Sequence, residues 1–169
     1  SCGEGYLVDG EVCRHAPLSE PPAEPIPLVD LRAEHAPLMP ALLRAFERVV
    51  QSGNYVIGEE VRKFEQEAGA ALGIAHTVGV SSGTDALLVS LLALGVGPGD
   101  EVVTTAYSFF ATAGSIARTG ATPVFADIDE QTMNLDPRSV EAAVTARTKA
   151  IVVVHLFGQP CDMRAISKI

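Results

Sequence analysis

An alternation that begins near Thr77 constrains this chain more than any other feature. Short β-rich runs at Thr77 to Ser81, Glu101 to Thr105, Thr122 to Ala126 and Lys149 to Val154 are separated by stretches of helical spacing. Those stretches lie at about Thr84 to Leu94, Phe109 to Thr119 and Pro137 to Ala146. Strand, helix, strand in succession predicts an α/β fold in three layers, α/β/α, with a mostly parallel sheet, helices on both faces and right-handed crossovers. The turn Gly97-Pro98-Gly99 breaks the chain before Asp100, and no internal repeat is visible.

Upstream the spacing changes. Leu38, Leu42, Phe46, Val49 and Val50 recur at intervals of three and four, which predicts one helix over His35 to Gln51 with a single apolar stripe. Ser52 and Gly53 end it, because glycine tolerates the left-handed conformation a helix exit needs. Val61, Phe64, Ala68 and Leu72 predict a second helix from Glu59 to Leu72, closed by Gly73. Residues 1–25, with Gly3, Gly5, Gly10 and the prolines at 17, 21, 22 and 25, read as a flexible N-terminal extension; residues 26–169 read as the folded part.

Hydrophobic residues make up 47% of the chain, too many for a disordered one. Twelve basic against twenty-one acidic residues give a net charge of -9, which repels a nucleic-acid backbone or an anionic membrane at long range. A small phosphorylated ligand is still admissible, since a local nest of backbone amides can hold a phosphate inside an acidic protein. No apolar run approaches the roughly 20 residues of a membrane span. Three cysteines, Cys2, Cys13 and Cys161, are odd in number and lack metal-type spacing, so they read as reduced thiols of a cytoplasmic protein, with no metal site expected.

In an open parallel sheet ligands sit beyond the carboxyl ends of the strands, which directs attention to three places. The first is Ser81-Ser82-Gly83-Thr84-Asp85-Ala86-Leu87. Gly83 permits close backbone approach, and Ser82 and Thr84 offer hydroxyls at a helix start whose free amides favour an anion. Ser and Thr there are equally ordinary N-caps, and Asp85 equally suits the helix dipole, so this motif alone does not choose. No G-x-G-x-x-G or P-loop pattern is present. The second place is Ala106-Tyr107-Ser108-Phe109-Phe110-Ala111-Thr112: aromatic residues are 5% of the chain, yet three fall here. Either a planar ligand ring stacks on one of them, or all three fill the core. The third is His155-Leu156-Phe157-Gly158-Gln159-Pro160, where His155 is a structural residue or a catalyst.

These motifs, with Gly120-Ala121-Thr122-Pro123-Val124-Phe125-Ala126-Asp127-Ile128-Asp129 and the upstream Gly53-Asn54-Tyr55-Val56-Ile57-Gly58, closely resemble the DegT/StrS-type nucleotide-sugar aminotransferases in order and spacing, from about Ile26 to Ile169. The resemblance implies the N-terminal part of the large domain of a fold-type I enzyme that uses pyridoxal 5′-phosphate. By the same analogy Ser82, Gly83, Thr84 and Asp85 would hold the cofactor phosphate and Phe109 would stack on its pyridine ring. Asp127 and Asp129 take a turn role. The implied reaction moves an amino group from an amino-acid donor such as glutamate to a keto sugar linked to a nucleotide, in a homodimer.

Such enzymes need a lysine that bonds the cofactor and moves protons, and a carboxylate that keeps the pyridine nitrogen protonated. The resemblance puts both beyond Ile169, so no catalytic residue is assigned here and residues 1–169 alone are expected to be inactive. Lys63, Lys149 and Lys168 fall on a helix, at the beginning of a strand and in a terminal helix, none on the ligand edge. Two alternatives stay open: a sugar dehydratase of the same family, with histidine at the lysine position, and a non-catalytic regulatory or scaffold module.

Overall fold

The computed structural model describes residue 27, residues 29–169 and, as backbone, Tyr6–Asp9 and Val12–His15. The chain divides into two compact units, Ser1–Phe64 and Glu65–Ile169.

In the first unit β1 (Tyr6–Asp9) pairs antiparallel with β2 (Val12–His15), Tyr6 opposite His15 and Asp9 opposite Val12. Strands of four residues are too short for an apolar period to register, so the sequence predicts no element there. The remainder of residues 1–25 lies outside the described residues, and with it the expectation of a flexible extension. The single helix expected over residues 35–51 is interrupted. A short α1 (Leu31–His35), capped where the Asp30 carboxylate accepts from the Ala33 amide at 3.0 Å, runs through a 3-10 turn (Ala36–Leu38) into α2 (Met39–Ser52). Pro40 explains the break: proline has no amide hydrogen and crowds the carbonyl four residues back, so it is tolerated only in a first turn. At the other end Gly53, with φ 66°, donates to the carbonyls of Val49 and Val50. The stripe of α2 forms, yet Leu42, Phe46 and Val50 stay exposed, so its periodicity predicts the helix and not its burial. α3 (Glu59–Leu72) has the predicted bounds.

The second unit is built on a three-stranded parallel sheet in the order β4-β3-β5, with β3 (Glu101–Thr105) in the middle, β4 (Thr122–Ala126) on one side and β5 (Thr148–Ile151) on the other. Every residue of β3 is buried. Because successive side chains of a strand point to opposite faces, Val102 and Val103 found two separate cores. Val102 meets Leu91, Val96, Ile116 and Ala121, from the side of α4 (Gly83–Ala93) and α5 (Ala111–Arg118). Val103 meets Ala126, Leu135, Val140, Cys161 and Ile166, from the side of α6 (Pro137–Ala143) and α7 (Met163–Ile166). The predicted three layers are therefore present. The path turns back on itself, β3 to β4 by α5 and β4 past β3 to β5 by α6, and right-handed crossovers then put α5 and α6 on opposite faces. Each fully buried valine contributes roughly 1.5–3 kcal/mol.

Two strand predictions are corrected. Thr77 to Ser81 forms no strand among the described residues. A strand needs a neighbour's ladder, and here the Gly79 amide is taken instead by the Glu65 carboxylate at 2.7 Å, while the Thr77 hydroxyl donates to the Glu65 carbonyl. β5 ends at Ile151 and not at Val154, although the chain continues alongside β3 for one more residue: the Val152 amide donates to the Val103 carbonyl at 2.8 Å and the Val152 carbonyl accepts from the Thr104 hydroxyl at 2.9 Å. At the opposite end of β3, buried Glu101 accepts from the Thr145 hydroxyl at 2.5 Å and from the Arg147 guanidinium, the Nε contact being 2.9 Å. Those bonds, Thr145 first, hold its carboxyl below the usual carboxylate range.

Candidate functional site

Ser82 is extended, with φ -160° and ψ 162°, and acts as the N-cap of α4: its Oγ accepts from the Asp85 amide at 3.1 Å. The same hydroxyl donates to the Asp85 carboxylate at 3.0 Å, and the Ser81 hydroxyl donates to the same oxygen. Ser82 is thus an N-cap in fact, with both its roles directed at Asp85. The two bonds, Ser81 first, with the Arg118 charge behind them, hold the Asp85 carboxyl below its ordinary range.

What remains free in this turn is the backbone. Among the described residues the amides of Gly83 and Thr84 donate to no protein acceptor, as the first turn of a helix dictates. Gly83 is exposed, and a Cβ placed on it would have nothing within 4 Å. Two unpaired amides at the positive end of an eleven-residue helix can hold an anion.

The second wall comes from the residues after β3. Phe109 and Phe110 are 77% and 82% exposed, so the alternative in which the aromatic cluster fills the core fails for both. Tyr107, 47% exposed, is no core residue either. The rings are set by the entry into α5: the Thr112 amide donates to the Phe109 carbonyl at 3.1 Å, and the Thr112 and Ser108 hydroxyls lie 2.8 Å apart. Gly114 leaves room for Phe110 to lie along the helix, since a Cβ there would stand 2.9 Å from its ring. Phe109 is largely exposed.

Thr84 and Phe109 line one concave cavity of about 480 Å³, with Phe110, Gly114, Ala117 and Arg118. Of the five residues predicted for the site, the structure therefore brings these two into one cavity, with Gly83 beside them, and turns Ser82 and Asp85 toward each other at its margin. Arg118 is the residue that sequence reasoning missed. A basic residue in the last turn of a helix suits the dipole, and nothing in its spacing marks it otherwise. It reaches back along α5 so that Nη1 lies 3.9 Å from Asp85 Oδ1, while Ser115 on the same helix donates to the Thr84 carbonyl at 3.2 Å.

The cavity fits a phosphorylated planar ring: unpaired amides for the phosphate, an exposed aromatic face for the ring, and a volume within the range of small-molecule sites. Neither Lys149, which sits at the start of β5 and so at the far end of the strands, nor Lys168, which follows α7, lines it. Lys63 lies 3.8 Å from Glu60 on α3.

The third predicted place is structural in the first instance. His155 Nδ1 accepts from the Cys161 amide at 3.1 Å, which leaves the ring proton on Nε2. Asn134, buried and unremarked in the sequence, donates through Nδ2 to the carbonyls of Gln159 at 3.0 Å and Pro160 at 3.2 Å. The two acidic residues after β4 take the expected turn role: Asp129 accepts from the amides of Gln131 and Thr132, and Asp127 from that of Ile128.

A family model described as the DegT/DnrJ/EryC1/StrS aminotransferase family matches residues 39–169. The "Pleiotropic regulatory protein" of Geobacillus stearothermophilus is 51% identical over 144 residues, 85% of this chain and 39% of that protein. The UDP-N-acetyl-3-dehydro-alpha-D-glucosamine 3-aminotransferase of Acidithiobacillus ferrooxidans is 45% identical over 141 residues, 83% of this chain and 38% of its own. Among solved structures, NtdA from Bacillus subtilis with bound cofactor PMP superposes with a TM-score of 0.72 at 39% identity, covering 75% of this chain and 29% of that one. The chain thus spans about two fifths of the length of the curated relatives it matches. No described helix is long and apolar enough to cross a membrane.

Proposed function

The chain belongs to the DegT/DnrJ/EryC1/StrS aminotransferase family, and on that premise we propose that it supplies the phosphate-and-ring cradle of a pyridoxal-phosphate enzyme. The complete protein transfers an amino group from an amino-acid donor, glutamate in our reading, to a keto sugar linked to a nucleotide. It works as a cytoplasmic homodimer. One observation carries the proposal: Thr84, whose amide like that of its neighbour Gly83 has no partner among the described residues, lines the same cavity as the exposed Phe109.

In this reading the amides of Gly83 and Thr84 bind the phosphate with the Thr84 hydroxyl beside them, Ser82 and Asp85 fix the turn that presents those amides, and Phe109 covers one face of the ring. Bound there, the cofactor supplies an electron sink that acidifies the proton on the donor's α-carbon. Phe109 sets the plane of the ring and keeps water from that face. In this reading the amine that moves the proton, and the carboxylate that holds the pyridine nitrogen protonated, come from sequence outside residues 1–169, as the family resemblance implies; neither Lys149 nor Lys168 lines the cavity. Residues 1–169 alone do not turn over.

The test is a titration of the full-length protein with pyridoxal 5′-phosphate and, separately, with pyridoxal, followed by cofactor absorbance. Saturable binding that depends on the phosphate is expected; equal affinity for the two compounds refutes the cradle. A second reading, a non-catalytic regulatory module, takes its support from the name of the Geobacillus relative, and failure to bind either compound in the same titration would favour it.

A further inference from the structure

The first turn of α4 holds a conflict of charge. Its free amides favour an anion, yet the helix carries one of its own in that turn, Asp85. The Asp85 carboxylate gathers the hydroxyls of Ser81 and Ser82 and so stays beside the amides of Gly83 and Thr84. Left alone it would offset the positive end of the helix and repel a phosphate, which carries up to two charges of the same sign.

Among the described residues one cation faces it. Arg118 Nη1 lies 3.9 Å from Asp85 Oδ1, too far for a hydrogen bond, so the contact acts through charge. Its side chain is 56% exposed and lines the cavity that holds Thr84 and Phe109. Ser115, one turn earlier on α5, donates to the Thr84 carbonyl, so α5 reaches the first turn of α4 at two points.

We infer that Arg118 is a positioning residue of this site: it holds and screens the Asp85 carboxylate so that a phosphate can take the Gly83 and Thr84 amides. The inference rests on the cofactor reading above. A basic residue that merely complements the dipole at the end of its own helix α5 would support stability and leave phosphate binding unmoved.

The experiment uses the full-length protein and two probes, pyridoxal 5′-phosphate and inorganic phosphate, with thermal unfolding measured alongside. R118Q is expected to weaken inorganic phosphate about fivefold at low salt, the size of a charge effect at a helix end. That loss shrinks as salt approaches about 0.15 M, where the Debye length is about 8 Å. R118K, which keeps the charge on a side chain of similar reach, stays near wild type. In the D85N background, with the carboxylate gone, R118Q is expected to cost nothing further. An equal loss in both backgrounds means that Arg118 touches the anion itself and overturns the inference. So does unchanged phosphate affinity in R118Q, whether or not the unfolding temperature falls. If wild-type protein fails to distinguish pyridoxal 5′-phosphate from pyridoxal, the underlying cofactor reading fails first, an outcome visible before any variant is made.

Discussion

Replacing Gly83 with proline separates the architecture of the phosphate turn from its chemistry. Gly83 is the first residue of α4, the one helical position where proline is favoured, because its missing amide hydrogen has no partner within the helix. Ser82 already has the extended backbone that a residue before proline prefers. Open space surrounds the position, since an added Cβ meets nothing within 4 Å. The fold should therefore accept Gly83→Pro and gain roughly 0.4–1 kcal/mol from the stiffer unfolded chain. The site loses one donor. A hydrogen bond to a charged acceptor contributes about 1.5–3 kcal/mol, so affinity for pyridoxal 5′-phosphate and for inorganic phosphate should fall roughly 10- to 150-fold. Thermal unfolding of the full-length variant reads the stability gain, and calorimetric titration reads the loss of affinity. Pyridoxal, which has no phosphate, serves as the internal control and should bind as in wild type. A variant that unfolds no earlier than wild type and binds phosphate equally well would falsify the assignment of this amide to the anion.

Three further outcomes follow from the same geometry. Phe109→Ala removes a ring that is 77% exposed, so unfolding should shift by no more than about 0.5 kcal/mol while cofactor affinity drops roughly 2- to 10-fold; a large stability loss with unchanged affinity would make Phe109 a packing residue. Asn134→Asp replaces two buried donors with acceptors facing the Gln159 and Pro160 carbonyls and should destabilise by about 3 kcal/mol or more, against about 1–2 kcal/mol for Asn134→Ala. Urea unfolding decides, and Asp proving no worse than Ala at neutral pH would contradict the pairing. Glu101 has a carboxyl pKa lowered by Thr145 and Arg147, so its contribution is full above the usual carboxylate range and is lost as pH falls through the lowered value. Glu101→Gln should accordingly be less stable at neutral pH and approach wild type in acid; parallel stability curves would show that the group is not coupled to folding.

What the sequence makes legible divides along a physical line. The alternation around β3, β4 and β5 is read correctly because β3 is buried on both faces, β4 and β5 pair with it on either side, and their helices sit between firm turns such as Gly97-Pro98-Gly99. Thr77 to Ser81 also carries β-formers, Thr77, Val78 and Val80, and is not a strand, because pairing depends on a neighbour and composition does not report one; Glu65 supplies the alternative partner. The break at Pro40 was written in the sequence, in the residue type least compatible with a helix interior, and the apolar period of α2 simply ran over it. At the site, the Ser-Gly-Thr-Asp turn is legible only through its place in the ordered set of motifs, since Ser, Thr and Asp are ordinary at a helix start, and Phe109 stands out because three aromatic residues cluster after β3. Arg118 is not legible, since its meaning arises only when α4 and α5 lie side by side, and the same holds for Asn134, whose partners are 25 and 26 residues away.

The two faces of the sheet divide the work in a way that the alternation of Val102 and Val103 dictates. Val102 anchors the core under α4 and α5, and both parts of the candidate site, the amides of Gly83 and Thr84 and the ring of Phe109, belong to that side. Val103 anchors the core under α6 and α7, which hold the loop tied down by Asn134 and Cys161. The turn at Ser82 to Asp85 and the Phe109 ring are thus fixed to each other through one small core and through Ser115 and Arg118. Neither half of the site depends on its own flexible loop to find the other. A planar ligand carrying a phosphate at one end needs that relation, since both ends must be met at once and a shift of either helix would forfeit one of them. The geometry selects for a rigid α4–α5 pair, and the side-chain bridges between those helices lie at the first turn of α4, where that demand is greatest.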